Sequence, residues 1–156
     1  ISQPLMVGLM IQALEARRED RALEVGTGSG YAAAVLAKLV REVITVERSL
    51  PLLEAARERL AALGFDNVRV YAAGDVLGRP EDAPYDAILV SAGAPHIPRP
   101  LLDQLAPGGR LVIPIGSARS QELVTARKTA HGIELRRHGP CAFVPLIGEE
   151  AWREAG

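Results

Sequence analysis

The sequence predicts an α/β fold: a doubly wound, mainly parallel sheet with an antiparallel C-terminal edge. Up to Gly116, short apolar runs alternate with helix-forming segments, which is typical of parallel strands joined by helices. A glycine-rich turn at residues 26–30 leads from the first strand directly into a helix. After Gly116, two extended segments are joined by a turn too short to contain a helix, and strands joined in this way pair antiparallel.

The predicted elements follow from the spacing of apolar residues and from capping signals. Apolar residues recur at helical spacing in the helices and form short, nearly continuous runs in the buried strands. Ser49 is a typical N-cap residue and Gly64 a typical stop signal, so they bound one helix. The elements are helices over 6–18, 32–40, 50–63 and 101–105, strands over 22–25, 42–47, 67–73, 86–90, 110–115, 123–128 and 133–137, and an extended segment over 141–146.

Length and composition limit the classes of protein to which the chain can belong. Its 156 residues predict one domain, 1–156, and 48% of them are hydrophobic and 24% charged, which is ordinary for a globular protein. A net charge of −1 provides no broad basic surface, so we expect no nucleic-acid partner. No run approaches the ~18 apolar residues that a membrane span requires, so we expect no membrane partner.

The cysteine and histidine content bears on compartment and metal binding. Cys141 is the single cysteine, which excludes an internal disulfide and favours a reducing, cytoplasmic location. The three histidines lack metal-ligand spacing, so no metal site is expected. We expect a monomer. Because the chain opens on Ile1 in the middle of a motif, we also expect that a native N-terminal segment is missing from it.

The turn at residues 26–30, Gly-Thr-Gly-Ser-Gly, predicts a site for a nucleotide cofactor. Glycine adopts backbone angles that a Cβ forbids and lets a ligand lie against the bare main chain. The helix that follows directs unpaired N–H groups and the positive end of its dipole at the turn. The pattern alone is weak, because related turns bind dinucleotides or simply connect a strand to a helix.

Three acids at the carboxyl ends of the strands refine this prediction. Glu24 lies two residues before the turn, where a carboxylate would repel a pyrophosphate and favour an ammonium or sulfonium. Glu47 ends the second strand at about the spacing expected of an acid that binds a ribose diol, and Asp75 could hold the adenine amino group. Each acid could instead be a solvated strand end or turn residue. Their position at one edge of the sheet favours function, since ligands bind there.

Further motifs run along nearly the whole chain. Ile-Ser-Gln-Pro opens it at 1–4, LEVGTGSGYAAA spans 23–34, and Phe-Val-Pro-Leu-Ile-Gly lies near its end at 143–148. The remaining segments are VER at 46–48, LGFDNV at 63–68, YDAILV at 85–90, APHIP at 94–98, LAPGGR at 105–110 and IPIG at 113–116. Together they resemble the protein-L-isoaspartate O-methyltransferase family, whose members are class I methyltransferases with a Rossmann-like fold. The glycine turn is generic to methyltransferases, whereas the first and last motifs are much more specific.

The resemblance implies an activity and a set of site residues. Members of this family use S-adenosylmethionine, with S-adenosylhomocysteine as product, to methylate the free α-carboxylate of L-isoaspartyl residues in aged proteins and peptides. Ser2 matches the substrate-contacting serine, which we take as catalytic. Cofactor binding is implied for Glu24, Gly26, Thr27, Gly28, Ser29, Gly30, Glu47, Arg48, Asp75 and Val76. Substrate binding is implied for Ser2, Ser91, Ala92, Pro95, His96, Ile97, Val144, Pro145 and Leu146. Val76 stands where the family usually has glycine.

A carboxylate acceptor needs little chemical activation. Its pKa of about 3.5 leaves it ionised at neutral pH, so the enzyme mainly aligns the acceptor with the methyl group. A phenol acceptor would need a base or a metal, and the sequence has no obvious constellation for either. His96 could be a surface or substrate-wall residue rather than a base, and Ser2 could be a helix cap.

Three alternative functions stay open. The first is a methyltransferase of another acceptor, such as a small molecule or RNA. The second is a cofactor-binding homologue without catalytic activity. The third is an NAD-dependent oxidoreductase, which Glu24 and the lack of a separate substrate domain disfavour.

Overall fold

The computed structural model describes residues 3–155, in which helices and strands alternate as the sequence predicts. The helices are α1 (Pro4–Leu14), α2 (Tyr31–Ala37), α3 (Leu50–Ala62) and α4 (Arg99–Asp103), with a 3₁₀ turn at Pro80–Asp82. The strands are β1 (Arg21–Val25), β2 (Glu42–Glu47), β3 (Val68–Ala72), β4 (Tyr85–Val90), β5 (Leu105–Gly116), β6 (Gln121–Thr129) and β7 (Gly132–Cys141).

The strands form one seven-stranded sheet in the order β3-β2-β1-β4-β5-β6-β7. Strands β1 to β5 are parallel, and β6 and β7 add to the sheet antiparallel, which confirms the predicted fold class. The chain passes from β1 to β2 on one side and later returns to β4 on the other, so strand order reverses between β1 and β4. A ligand of a doubly wound sheet is expected outside the carboxyl ends of these two strands.

The core lies on both faces of the sheet because successive strand residues point to opposite sides. Leu23 and Val25 of β1 pack on the face that carries α4. Ala22 packs on the opposite face, against α1 and α2, and α3 joins the same side through its contacts with β3. Consequently the centre of the sheet is covered on both sides, and β4 is buried along nearly its whole length.

Two predicted helices end earlier than expected, each for a reason that lies elsewhere in the chain. The helix predicted over 6–18 ends at Leu14, where Glu15 turns to a left-handed conformation with φ of 52° and the Leu14 carbonyl accepts a hydrogen bond from the Arg110 guanidinium at 3.1 Å. The helix predicted over 32–40 ends at Ala37, whose carbonyl accepts a hydrogen bond from the Asn67 side-chain amide at 2.8 Å. In both places a side chain that is distant in sequence donates a hydrogen bond to a carbonyl at the end of the helix, which the next helical turn would otherwise supply.

The extended segment predicted over 141–146 divides at Cys141. Cys141 ends β7, and the residues after it form no strand of their own. Pro145 makes an isolated parallel bridge with Gly93. This segment is therefore attached to the carboxyl edge of the sheet instead of continuing it.

Arg110 on β5 is a buried cation that joins α1, β4 and β5. Its guanidinium donates to the carbonyls of Leu14 at 3.1 Å, Glu15 at 2.7 Å and Asp86 at 3.1 Å, and to the carboxylate of Asp20. The side chains of Arg110 and Asp20 are only 6% and 8% exposed. Arg110 thus satisfies the carbonyls at the end of α1 and neutralises a buried acid.

Replacing Arg110 with Ala should lower the free energy of unfolding by about 3–5 kcal/mol, because it leaves Asp20 buried and unpaired. Arg127 is a matched control: it lies opposite Arg110 in the β5–β6 register but pairs with Glu15 at the surface. Arg127→Ala should cost less than about 1 kcal/mol. Chemical denaturation of both variants measures the difference, and equal losses would contradict the central role of Arg110.

Candidate active site

The glycine turn between β1 and α2 is held in place by the end of β2. The N–H groups of Gly26 and Thr27 donate to the carbonyl of Val46 at 2.9 and 3.2 Å. The N–H of Gly28 donates to Glu47 Oε2 at 2.8 Å. Gly26 and Gly28 have φ values of 95° and 54°, a region that favours glycine. The turn is therefore pre-shaped by hydrogen bonds that only this backbone conformation allows.

A large cavity of about 770 Å³ lies against this turn at the carboxyl edge of the sheet. Glu47 and Arg48 line one side of it, and Asp75 and Val76 line another. Both oxygens of the Glu47 carboxylate accept backbone N–H groups, from Gly28 and, at 3.0 Å, from Ser49. Four residues that were proposed for different parts of the cofactor site therefore meet at one cavity.

A smaller cavity of about 280 Å³ lies on the α1 side of the turn. It shares Gly26, Gly28, Ser91 and Val144 with the large cavity, so the two adjoin along the glycine turn. Its other lining residues are Val7, Met10, Glu24, Thr27, Ser29, Tyr31, Ala32, Leu89, Ala142 and Phe143. An elongated ligand that lay along the turn could occupy both cavities.

Glu24 is the buried acid of the small cavity. Its side chain is 0% exposed, Oε1 accepts a hydrogen bond from Thr45 Oγ1 at 2.7 Å, and Oε2 has no partner within residues 3–155. Thr45 Oγ1 also lies 2.6 Å from Thr27 Oγ1. Because Thr45 gives its one proton to Glu24, Thr27 must be the donor of that second bond.

The protonation state of Glu24 corrects the expectation of a charged carboxylate beside the turn. Burial raises the pKa of Glu24 to about 8; the hydrogen bond from Thr45 opposes this rise and the charge of Glu47 adds to it. The group is thus mostly neutral at pH 7 without a ligand. The sequence alone does not indicate this, because the burial of Glu24 depends on packing from elements that are distant along the chain.

Residues 142–148 form a wall segment of the two cavities and are hydrogen-bonded to Gly93, after β4, and to Gln121, at the start of β6. The N–H of Gly93 donates to the carbonyl of Val144 at 2.7 Å, and the N–H of Leu146 donates to the carbonyl of Gly93 at 2.8 Å. The Gln121 side chain accepts from the N–H of Phe143 at 2.7 Å and donates to its carbonyl at 3.3 Å. A Cβ on Gly93 would lie 2.8 Å from Gln121 Cδ, so a larger residue there would displace the side chain that bonds to Phe143.

The structure brings together most of the predicted site residues. Predicted residues that line at least one of the two cavities are Glu24, Gly26, Thr27, Gly28, Ser29, Glu47, Arg48, Asp75, Val76, Ser91, Ala92, Val144, Pro145 and Leu146. Val144, Pro145 and Leu146 were proposed for the substrate, yet all three line the large cavity together with Glu47 and Asp75. They therefore line the cavity of the proposed cofactor residues and not a separate one.

Other predicted residues lie away from both cavities. Gly30 caps α2, and a Cβ there would meet Leu60 of α3 at 3.4 Å, so it packs between helices. Pro95, His96 and Ile97 follow β4 without lining either cavity; His96 is exposed and Ile97 packs on the core. Ser2 lies outside the described residues.

Several lining residues were not predicted. Leu52 and Leu77 add apolar surface to the large cavity, and Glu154 reaches it from the C-terminal end of the described chain, where it pairs with Arg48 at 3.3 Å. The pairing of Glu154 has no sequence signal, because it depends on how the chain folds back after Gly148. Leu52 was detectable in principle, since it lies one turn into the helix that follows Glu47.

Two negative findings apply to the described part of the chain. Residues 3–155 contain no group of three or more His, Cys, Asp or Glu side chains that could hold a metal ion. None of the helices within them is both long and apolar enough to cross a membrane.

Comparison with known proteins places the chain in one family. The model of the family described as protein-L-isoaspartate(D-aspartate) O-methyltransferase matches residues 1–151. A protein-L-isoaspartate O-methyltransferase of Pelotomaculum thermopropionicum is 51% identical over 155 residues, which cover 99% of this chain and 68% of that protein.

Two solved structures are similar in fold. A structure described as protein-L-isoaspartate O-methyltransferase has a TM-score of 0.87 and 29% identity, covering 97% of this chain and 49% of that one. A Plasmodium falciparum structure, described as a candidate enzyme of the same kind, contains S-adenosyl-L-homocysteine. Its TM-score is 0.78 at 30% identity, with 92% of this chain and 74% of that one covered.

The buried Glu24 predicts a pH-dependent stability of the ligand-free protein. A carboxyl whose pKa is raised in the folded state contributes stability that is present below its unfolded pKa of 4.5 and is lost as pH rises through about 8. The free energy of unfolding of Glu24→Gln, taken relative to wild type, should therefore be higher at pH 8 than at pH 5.5, by up to roughly 3 kcal/mol. Chemical denaturation of both proteins at the two pH values measures this change. If the difference between variant and wild type were the same at both pH values, the burial argument would be contradicted.

Proposed function

Because this chain belongs to the protein-L-isoaspartate O-methyltransferase family, we propose that it transfers a methyl group from S-adenosylmethionine to the free α-carboxylate of L-isoaspartyl residues in damaged proteins and peptides. The observation that carries the proposal is the pair of adjoining cavities along one glycine turn. An acid lines each cavity: Glu47 the larger one and Glu24 the smaller one. This arrangement suits a ligand with a nucleoside at one end and a cationic amino acid at the other.

The large cavity is the proposed nucleoside site. Each oxygen of Glu47 accepts one backbone N–H and keeps a lone pair for a second bond, so the carboxylate can bind ribose hydroxyls while it holds the turn. Asp75 is exposed at the cavity wall and can accept bonds from the adenine amino group. Val76 and Leu77 provide apolar surface for the base in a region where the family usually has glycine after the aspartate.

The small cavity is the proposed site of the amino-acid end. Among its described lining residues none carries a positive charge, and the free oxygen of Glu24 is a buried polar atom without a partner. A buried acceptor without a partner is costly, and an ammonium group would satisfy it. The residues present therefore fit S-adenosylmethionine.

The chain's own task in catalysis is alignment. The bound cofactor supplies a methyl group that is already activated as part of a sulfonium. Ser91 and Val144 line both cavities, so we place the acceptor carboxylate near them, at the junction of the two ligand halves. Ser2 is proposed to orient that carboxylate. Ala92, Pro95, His96 and Ile97, with the wall at residues 144–146, are proposed to bind the extended peptide around it. An ionised acceptor needs no proton removed.

We also propose that the protein acts as a monomer in the cytoplasm. The one cysteine suits a reducing compartment.

Methyl transfer to an isoaspartyl peptide tests the proposal directly. Labelled S-adenosylmethionine should methylate this peptide but not the aspartyl peptide of the same sequence. Ser2→Ala should reduce methylation more than cofactor binding, since its hydroxyl is proposed to face the acceptor. Cofactor binding without methylation of either peptide would favour the non-catalytic alternative, and equal methylation of both would exclude isoaspartyl specificity.

The pH dependence of the chemical step tests the role of alignment. With cofactor and peptide saturating, single-turnover methyl transfer should be nearly flat between about pH 6 and 8, because the acceptor is ionised throughout. His96→Ala should cause only a modest loss. A limb centred near pH 6.5 that disappears in this variant would identify His96 as a base and overturn the mechanism.

A further inference from the structure

Glu24 is in an unusual position for an acid that faces a ligand cavity. It sits in the middle of the sheet, with Thr45 of β2 opposite it on one side and Leu89 of β4 on the other. Thr45 supplies the one hydrogen bond that the carboxyl receives from described residues, and no arginine, lysine or histidine lines the cavity. The fold therefore buries this carboxyl without placing a positive charge beside it.

The elements packed around Glu24 contribute little charge. Helix α1 supplies Val7 and Met10, and the wall segment supplies Ala142, Phe143 and Val144, all of them apolar. Tyr31 at the start of α2 is the other ionisable side chain on the cavity, and it is 42% exposed. The nearest charge that acts on Glu24 is the like charge of Glu47. The apolar packing and the like charge of Glu47 both favour the protonated form.

A cation placed at the free oxygen reverses this preference. At close range in a buried site, the attraction between an ammonium and a carboxylate is strong, and the bond is charge-assisted. An ammonium has no acceptor capacity, so it cannot pair well with a protonated Oε2 that points its own proton outward. The ligand-free and ligand-bound sites thus require different protonation states of the same residue.

We propose that binding of the ammonium group common to S-adenosylmethionine and S-adenosylhomocysteine expels the proton of Glu24 into solvent, so that cofactor affinity increases with pH. This inference rests on the proposed function. The O–H bond of the Glu24 carboxyl breaks, its electron pair stays on the carboxylate, and the proton is taken up by buffer; no redox partner is involved. Thr27 and Thr45 keep their hydrogen bonds, since Thr45 donates to Oε1 in either state.

Calorimetry of cofactor binding in buffers of different ionisation enthalpy measures the released proton. At pH 7 close to one proton should leave per S-adenosylhomocysteine or S-adenosylmethionine bound, as follows from a free-state pKa of about 8. Affinity should increase by roughly 20-fold from pH 6 to pH 8, because ionisation of Glu24 contributes about 50-fold and deprotonation of the ligand's own α-amino group near pH 8 offsets about half of it. Adenosine, which lacks the amino-acid end, should bind without proton release.

Two variants separate Glu24 from other titrating groups. Glu24→Gln should bind S-adenosylhomocysteine with no proton release and with an affinity that does not increase over the same range. Glu47→Gln removes the other carboxylate at the turn; it should bind more weakly yet still release the proton. Proton release by the wild-type protein tests the inference even if neither variant folds.

The outcomes distinguish this inference from the proposed function. Tight binding of both cofactors without proton release, or release with S-adenosylmethionine only, would overturn the inference and leave the methyltransferase assignment intact. Failure of both cofactors to bind at every pH would overturn the assignment itself.

Discussion

The hydrogen bonds between the end of β2 and the glycine turn are the constraint on which the site depends. One carbonyl, that of Val46, accepts two consecutive N–H groups of the turn, and the next residue, Glu47, accepts a third from Gly28. These bonds require the positive φ values that glycine supplies. Because β2 lies beside β1 in parallel register, the turn cannot shift without disturbing the sheet. Both cavities take their shape from this fixed edge.

The same turn places two glutamates in opposite electrostatic environments. Glu47 is partly buried and receives two backbone N–H groups, which stabilise a carboxylate. Glu24 is fully buried and receives one hydroxyl, so its pKa rises. Two chemically identical side chains at one turn therefore differ in burial and in hydrogen-bond partners. The proposed ribose acceptor and the proposed partner of the ammonium group therefore lie in different surroundings on the two sides of the turn.

Much of the fold could be predicted from the sequence because strands and turns carry local signals. The bounds of β2, the Ser49 cap and the Gly64 stop agree with expectation, as they depend on residues within a few positions. The end of α1 could not be predicted, because Arg110, 96 residues beyond Leu14, accounts for it. In the site, the strand-end acids were identified by position, whereas the protonation of Glu24 depends on packing from α1 and the wall segment, which no local pattern reports.

The attachment of the cavity wall to Gln121 has a consequence for local unfolding. Gln121 begins β6, and its side chain hydrogen-bonds to both the N–H and the carbonyl of Phe143. The antiparallel edge of the sheet therefore supports the wall of the methyltransferase site. Strand β7 is exposed along most of its length and has the few buried contacts typical of a low-stability unit. An opening of β6 and β7 would also release the wall. We therefore expect occupancy of the cavities to protect edge-strand amides from hydrogen exchange, although no ligand atom needs to touch them.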